Sequence, residues 1–438
     1  MNIIDDVVKN LRNNPVFHMS LASKELFHSN VLAWLLEYQN IDGLADIFAP
    51  CDDKGNKLKD FKVLTVLREK SHLDLIIVFL PDNDDFKSYD WTEIEGIFQN
   101  SYSENKDFLE KLEKSCRFVV VENKFKSIPS KEQLEKYDEV IEDGICLKVF
   151  KVTKKTKISI VLNEKNTTRY LMAPEIALKN FKELQESKWQ PVSYDEDILR
   201  VLKSKFDTDD FTANFIQYYA KFLENMLELT KDIEKKLEDN KNHAFPDYWQ
   251  DIFELKKIRI HDFYEKLWFS VLLNKITKIT GEDKFDRKGP GYTNACGLLD
   301  FKITDDKKHV WRGVQIQQRQ LRIELEPQRA LKRGDKIYVW KEDPAPALDL
   351  NTKIKNYCNS VLEIMKKKPG KENLTFFEKN NKEELHRFGD FKYRYILLEK
   401  NNEKISIEKL TEMINYALEA IYETPLDKFN LEAEEKNP

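Results

Sequence analysis

Asp74, Glu122 and Lys124 are the residues whose types and spacing first suggest chemistry. The stretch CRFVVVENKF, from Cys116 to Phe125, begins as a buried-strand run and then places a glutamate and a lysine where an apolar strand should continue. Burying an unpaired charge is expensive, so packing alone does not explain them. Side chains alternate along a strand, which puts Phe118, Val120, Glu122 and Lys124 on one face and Val119, Val121, Asn123 and Phe125 on the other. Asp74 interrupts a second apolar run, LDLIIVF, on the face it shares with His72, Ile76 and Val78. Pairing of the two strands would bring Asp74 beside Glu122. Two close carboxylates repel unless a cation sits between them, and an oxygen-donor site that keeps water suits magnesium. Such a metal polarises a phosphodiester and lowers the pKa of a bound water, with Lys124 orienting that water or stabilising developing negative charge. Phosphodiester hydrolysis is the reaction this set predicts. The alternative is a buried structural ion-pair cluster, the weaker reading because such clusters seldom stabilise a fold.

The elements that must position these residues follow from periodicity. SKELFHSNVLAWLLEYQ has helical apolar spacing at Phe27, Val31, Trp34 and Leu35, and KVLTVLRE and LDLIIVF read as strands. Residues 81–115 are hydrophilic with scattered aromatics and read as an insertion holding one short helix near Lys106 to Lys114. After RFVVVENK, Pro129 and Ser130 open a helix to about Ile141. ICLKVFKV, KISIVL and WQPVSY read as strands, and helices follow near 195–204 and 210–237. A mixed sheet flanked by helices is the economical α/β assembly. The charged, proline-ended KKLEDNKNHAFPDY places a domain boundary near residue 240, giving domains 1–240 and 241–438. In the second, FYEKLWFSVLLNKI reads as a helix, and ACGLLDFKI, HVWRGVQIQ and QLRIELE as strands. Two later helices flank FKYRYILLEK, so this is an α+β unit, and the tail NLEAEEKNP is expected to fray.

The chain of 438 residues is 41% hydrophobic, ample for more than one core. Charged residues make up 34% with a net charge of −5, so a polyanion must be met by local patches rather than a global field. Five scattered cysteines without a CxxC pair, and seven histidines without zinc-type spacing, argue against structural zinc. The N-terminus lacks the order of a signal peptide and no apolar run approaches a membrane span, so a cytoplasmic protein with reduced thiols is expected.

LDLIIV with VVVENKF resembles the D…ExK signature of the PD-(D/E)XK nuclease superfamily, with Asp74, Glu122 and Lys124 matching residue by residue. ELFHSNVLAWLLE and QLEKY are similar to the flanks of one prokaryotic family within it, and together the motifs span roughly the first 225 residues. The resemblance implies a restriction-endonuclease-like central sheet, with Asp74, Glu122, Lys124 and Gln133 as catalytic residues. It also implies Glu25 as a helical acid joining Asp74 and Glu122 around Mg2+ or Mn2+, and Tyr137 as a site-proximal contact. It further implies a nucleic-acid substrate, DNA before RNA, cut internally, with a role in anti-phage defence or genome maintenance. His72 and Leu73 stand where the pattern often has an arginine. A homodimer would allow both strands to be cut, and an activating ligand or protein remains open. The competing function is a non-catalytic nucleic-acid-binding or effector-sensing protein on the same scaffold; the intact trio argues against it.

Other readings stay beside these. Glu25 follows Ser23, a candidate N-cap, and would suit the helix dipole without a metal. SKEQ makes Ser130 and Gln133 a capping box. His28 reads as a satisfied structural histidine, and Glu69 as a solvated strand-end charge rather than a further site acid. In the second domain Arg312, Arg319, Arg322, Arg329, Lys332, Arg333 and Lys336 lie amid Trp311, Tyr338 and Trp340. They could track a phosphate backbone, with Arg319, Arg322, Lys332 and Arg333 as the contacts, or form a solvated face laced with Glu324 and Glu326, the preferred reading.

Overall fold

The computed structural model describes residues 3–20, 24–39, 41, 43–52, 54–83, 85–86, 88–89, 93–94, 106–125, 129–151, 157–204, 210–239, 243–276, 286–287, 291–292, 297–305, 310–327, 337–340, 349–367, 381–388, 391–398 and 405–436. Two compact units divide at Lys231 and Asp232, inside a long helix, where the sequence places the boundary near residue 240. Among the described residues no helix is long and apolar enough to cross a membrane.

The first unit opens with helices α1 (Ile3–Arg12), α2 (Pro15–Ser20), α3 (Lys24–Glu37) and α4 (Leu44–Ile47). Strands β1 (Phe61–Lys70) and β2 (Leu73–Pro81), helix α5 (Lys106–Ser115), strand β3 (Arg117–Asn123) and helix α6 (Lys131–Asp143) follow. The unit continues through β4 (Ile145–Lys151), β5 (Lys157–Leu162), β6 (Thr167–Ala173), α7 (Glu175–Asn180), β7 (Gln190–Ser193), α8 (Leu199–Leu202) and α9 (Asp210–Asp239). The central sheet has the order β1-β2-β3-β6-β7, antiparallel over its first three strands and parallel over β3-β6-β7. β2 and β3 are buried on both faces, which is why LDLIIV and FVVV are continuous apolar runs rather than alternating ones.

Helix α3 is buried over more of its circumference than a single apolar stripe provides. Its sheet-facing side meets β1, β2 and β3, while α9 covers another side through Trp34 on Phe215 and His28 on Tyr219. β4 and β5 stand apart as a two-stranded sheet.

The strand that sequence reading passes over is β6, TTRYLMA, the parallel neighbour of β3. Arg169 at its centre disguises it. That guanidinium is nine-tenths buried because it pairs with Asp138 Oδ1 of α6 at 2.8 Å and with Glu164. A tertiary ion pair thus places a charge in a core strand.

β1 and β2 form a two-residue hairpin closed by the pair Lys70 and Leu73. Its central residues Ser71 and His72 have φ of 55° and 68°, the positive values such a tight loop requires and that Asn-Gly adopts with least strain. Replacing Ser71→Asn with His72→Gly is expected to raise stability by about 1 kcal/mol, read from urea unfolding.

The second unit takes the end of α9 and adds α10 (Tyr248–Lys256) and α11 (His261–Lys275). Strands β8 (Asp286–Arg287), β9 (Gly291–Tyr292), β10 (Gly297–Asp305), β11 (Val310–Gln317), β12 (Gln320–Pro327) and β13 (Ile337–Trp340) follow, then α12 (Leu350–Lys367), β14 (Asn381–Phe388), β15 (Phe391–Leu397), α13 (Ile407–Glu423) and β16 (Ala433–Lys436). An antiparallel sheet runs β14-β15-β12-β11-β10-β8, with β9 also on β10. The expected frayed tail is instead strand β16, whose backbone groups pair with β13.

Two buried acids hold the helices of this unit. Asp251 of α10 accepts from Lys236 Nζ of α9 at 2.6 Å and from Tyr264 of α11 at 2.8 Å, and Asp232 shares the same two partners. Glu265 accepts from the Tyr248 hydroxyl at 2.6 Å. Burial raises the Asp251 carboxyl to about 6 despite Lys236, and raises Glu265 to about 7 despite Tyr248. Both ionise at lower pH in the unfolded chain, so between about pH 4 and about pH 7 the folded state holds more protons than the unfolded chain. The contribution of these groups to stability is therefore expected to fall through that window, by roughly 3 kcal/mol for each group. Urea unfolding at pH 5 and pH 8 checks this, and the pair Asp251→Asn with Glu265→Gln should flatten the difference.

Candidate active site

Asp74 begins β2 and Glu122 lies near the end of β3; because the strands are antiparallel, these are the same end of the sheet. The register pairs Val78 with Phe118, Ile76 with Val120 and Leu75 with Val121, so one further step sets Asp74 across from Glu122. The carboxylates stand at strand ends in the middle of the sheet rather than on an edge strand. The insertion between the two strands leaves their pairing intact.

Glu122 is 1% exposed and Lys124 5% exposed, so their charges are almost wholly removed from water. Lys124 Nζ lies 2.6 Å from Glu122 Oε1, as expected for residues two apart on one strand face. The Lys124 backbone N–H continues the ladder to β6 by donating to the Met172 carbonyl at 2.7 Å. Asp74, half-buried, accepts at Oδ2 from the Asn123 backbone N–H at 2.8 Å.

Helix α6 supplies the wall on the Glu122 side. Ser130 is its N-cap, its hydroxyl accepting from the Gln133 backbone N–H at 3.2 Å, so the capping signal reads correctly. Only that half of the expected capping box is seen; the Gln133 side chain is turned to the site instead, where Nε2 donates to Glu122 Oε1 at 2.9 Å and to the Tyr137 hydroxyl at 2.6 Å. Burial first, then the Glu122 carboxylate, hold the Tyr137 phenol above its ordinary pKa. Asp74 pushes the same way, while the Gln133 hydrogen bond and the Lys124 ammonium pull it down. One phenol therefore senses Asp74, Glu122 and Lys124 together, which marks a single electrostatic locale. The next residue, Asp138, anchors the helix by accepting from Trp189 Nε1 at 3.1 Å and pairing with Arg169.

The opposite sheet face is closed by rings. His28 is fully buried, its Nδ1 2.9 Å from the Tyr219 hydroxyl and its ring packed on Phe125 and Phe222, a structural histidine. Glu69 falls across from Asp74 in the β1 register, but its φ of 53° breaks the strand's alternation and its side chain is exposed. The backbone of Glu25 belongs to α3, whereas its side chain, and Ser23 before it, lie outside the described residues.

Among the described residues no group of three or more His, Cys, Asp or Glu side chains forms a closed metal cage. What is present is two carboxylates at adjacent strand ends. Oxygen donors with few protein ligands fit a hard divalent cation that keeps most of its water, Mg2+ or Mn2+, and do not suit zinc.

The second unit's arginines divide differently from expectation. Arg319 is exposed and stacks over the Trp249 ring at 4.5 Å. Arg322 is 7% exposed, bonded to Gln315 at 2.9 Å, Gln320 at 2.7 Å and Gln317, and stacked on Tyr393. A guanidinium so enclosed is a structural group, which corrects its reading as a nucleic-acid contact. The solvated-face reading is corrected as well, since Glu324 and Glu326 are buried. Lys332 and Arg333 lie outside the described residues.

Sequence reasoning missed Asn123 as a fixed point, the Ser29 and Tyr194 groups bonded to it, and the Arg169–Asp138 pair behind α6. Asn123 stands inside the motif, but nothing in the sequence marks its amide as buried. No curated protein and no solved structure matches the chain. A family model of the PD-(D/E)XK nuclease superfamily matches residues 16–221, a span that contains all five strands of the central sheet together with α3 and α6. Through residues 16–221, the chain belongs to the PD-(D/E)XK nuclease superfamily.

Proposed function

We propose that this protein is a divalent-metal-dependent nuclease that hydrolyses phosphodiester bonds in DNA, cutting internally. The observation that carries the reading is the convergence of Asp74, Glu122 and Lys124 at one end of the two central strands, with Gln133 bonded to Glu122. Superfamily membership supports the nuclease type of activity and a nucleic-acid substrate.

Asp74 and Glu122 would hold the metal, with Glu25 of α3 as the further acid that the resemblance assigns. When bound, Mg2+ or Mn2+ supplies a Lewis acid for the phosphodiester and a water of lowered pKa. Gln133 fixes the rotamer of Glu122 through its hydrogen bond to Oε1. Lys124 contributes a cation in a water-poor setting, where it stabilises negative charge developing on the phosphate more strongly than it would in solvent. Tyr137 keeps its proton, because burial and the two carboxylates disfavour the phenolate, and serves as a donor or contact. The second unit selects substrate, receives a trigger or joins copies of the chain, and bacterial defence or genome maintenance is the setting proposed.

The substrate is tested with end-labelled and covalently closed DNA, duplex and single-stranded, beside matched RNA, in Mg2+ and Mn2+. Cutting of closed DNA supports an endonuclease. Activity confined to RNA, or to free ends, overturns the DNA or the endonuclease assignment respectively.

A further inference from the structure

We propose that Asn123 is a positioning residue, a buried amide hook that aims its own backbone N–H at Asp74 and so fixes how the two carboxylates face a metal; this rests on the metal-site reading above. The Asn123 side chain is fully buried on the sheet face opposite Glu122. Its Nδ2 donates to Ser29 Oγ of α3 at 3.0 Å, and its Oδ1 accepts from the Tyr194 hydroxyl, just after β7, at 2.9 Å. Its backbone N–H donates to Asp74 Oδ2 of β2 at 2.8 Å. Three separate parts of the unit therefore meet at the residue between Glu122 and Lys124.

A planar amide gripped at both ends by directional bonds resists rotation, and the peptide behind it resists rotation with it. That peptide carries the N–H that sets the Asp74 carboxylate, and its neighbours on either side are Glu122 and Lys124. An apolar side chain of similar size would fill the same volume without a desolvation penalty, so packing does not account for an asparagine here. Groups that orient ligands from behind typically change metal affinity or activity 10- to 100-fold when removed.

The test is calorimetric titration of the full chain with Mn2+ alone, with cleavage rates followed in parallel. The variants are Tyr194→Phe and the combination Ser29→Ala, Asn123→Leu and Tyr194→Phe. The combination removes all three polar groups together, so its melting temperature should stay near wild type while Mn2+ affinity falls about tenfold or more. Tyr194→Phe should move affinity in the same direction by less. An amide that is only structural leaves Mn2+ affinity unchanged whatever the melting temperature does, and that result overturns the hook. If the combination does not fold, Tyr194→Phe decides alone, and wild-type affinity together with a wild-type cleavage rate overturns the proposal. Mn2+ binding by the wild type with equal binding by the variants removes the hook and leaves the nuclease reading standing. A wild type that binds no Mn2+ and cuts nothing removes the metal site itself.

Discussion

Asp74→Asn is expected to reduce metal-dependent cleavage on the order of 10²–10³-fold while leaving the fold as stable as wild type. The amide keeps an oxygen to accept the Asn123 backbone N–H, so the local hydrogen bond at 2.8 Å survives. The substitution also removes one of two neighbouring negative charges, which relieves repulsion when no metal is bound. Asp74 is only half-buried and the amide is nearly isosteric with the carboxylate, so no large cavity is left behind. Glu122→Gln should lose activity to a similar extent but behave differently in stability. Lys124 is nearly as buried as Glu122, and its ammonium 2.6 Å away would face an amide instead of a carboxylate. Breaking such a pair costs about 3–5 kcal/mol. Initial rates on the preferred polymer, with urea unfolding of each variant, check both halves of the contrast. Comparable destabilisation by the two substitutions would mean that Asp74 is as much a structural anchor as Glu122.

Lys302→Met is expected to destabilise the second unit by about 3–5 kcal/mol, whereas Glu324→Gln should change stability by less than about 1 kcal/mol. Lys302 Nζ sits among three carboxylates, 3.3 Å from Asp300, 3.4 Å from Glu326 and 3.8 Å from Glu324. The rings of Phe391 and Trp311 lie at 4.4 and 4.9 Å. Gly313 makes the arrangement possible: it lies between Lys302 and Glu324 in the strand register, and a Cβ there would come within 2.5 Å of the Phe301 carbonyl and 3.3 Å of Lys302 Cγ. All four charged residues are more than nine-tenths buried, so one ammonium cannot balance three ionised acids in that medium. Glu324 is the one that stays protonated, since burial and then the Asp300 charge raise its pKa well above the carboxylate range. Its amide replacement is accordingly nearly neutral, while removal of Lys302 strands Asp300 and Glu326 without their cation. Urea unfolding followed by tryptophan fluorescence reads both. Strong destabilisation by Glu324→Gln would show that the proton resides elsewhere in the cluster.

Much of the first unit was legible because its elements carry strong local signals. The apolar runs of β2 and β3, the helical spacing of α3 and the Ser130 cap are local properties, and the observed elements follow them. The proximity of Asp74, Glu122 and Lys124 follows from strand alternation once β2 and β3 pair. What was not legible depends on partners distant in sequence. Arg169 hides β6 because its burial is made tolerable by Asp138 and Glu164, and no local rule reveals that pairing. Arg322, Glu324 and Glu326 read as a polar outer face for the same reason, though the strands around them bury Arg322 among glutamines and the two glutamates around Lys302. The tail's β16 exists through its pairing with β13, roughly a hundred residues earlier. Asn123 belongs with these cases: its position was plain, but its grip on Ser29 and Tyr194 was not.

The measurement closest to the central claim is cleavage of covalently closed DNA, duplex and single-stranded, by the wild type and by Asp74→Asn. Each is assayed with Mg2+, with Mn2+ and with a chelator. The expected result is nicking or linearisation by the wild type only when a divalent cation is present, and loss of that activity in a variant that unfolds at the wild-type urea concentration. Cutting that persists in chelator, or that proceeds at the wild-type rate in Asp74→Asn, would contradict a metal-dependent nuclease built on Asp74, Glu122 and Lys124.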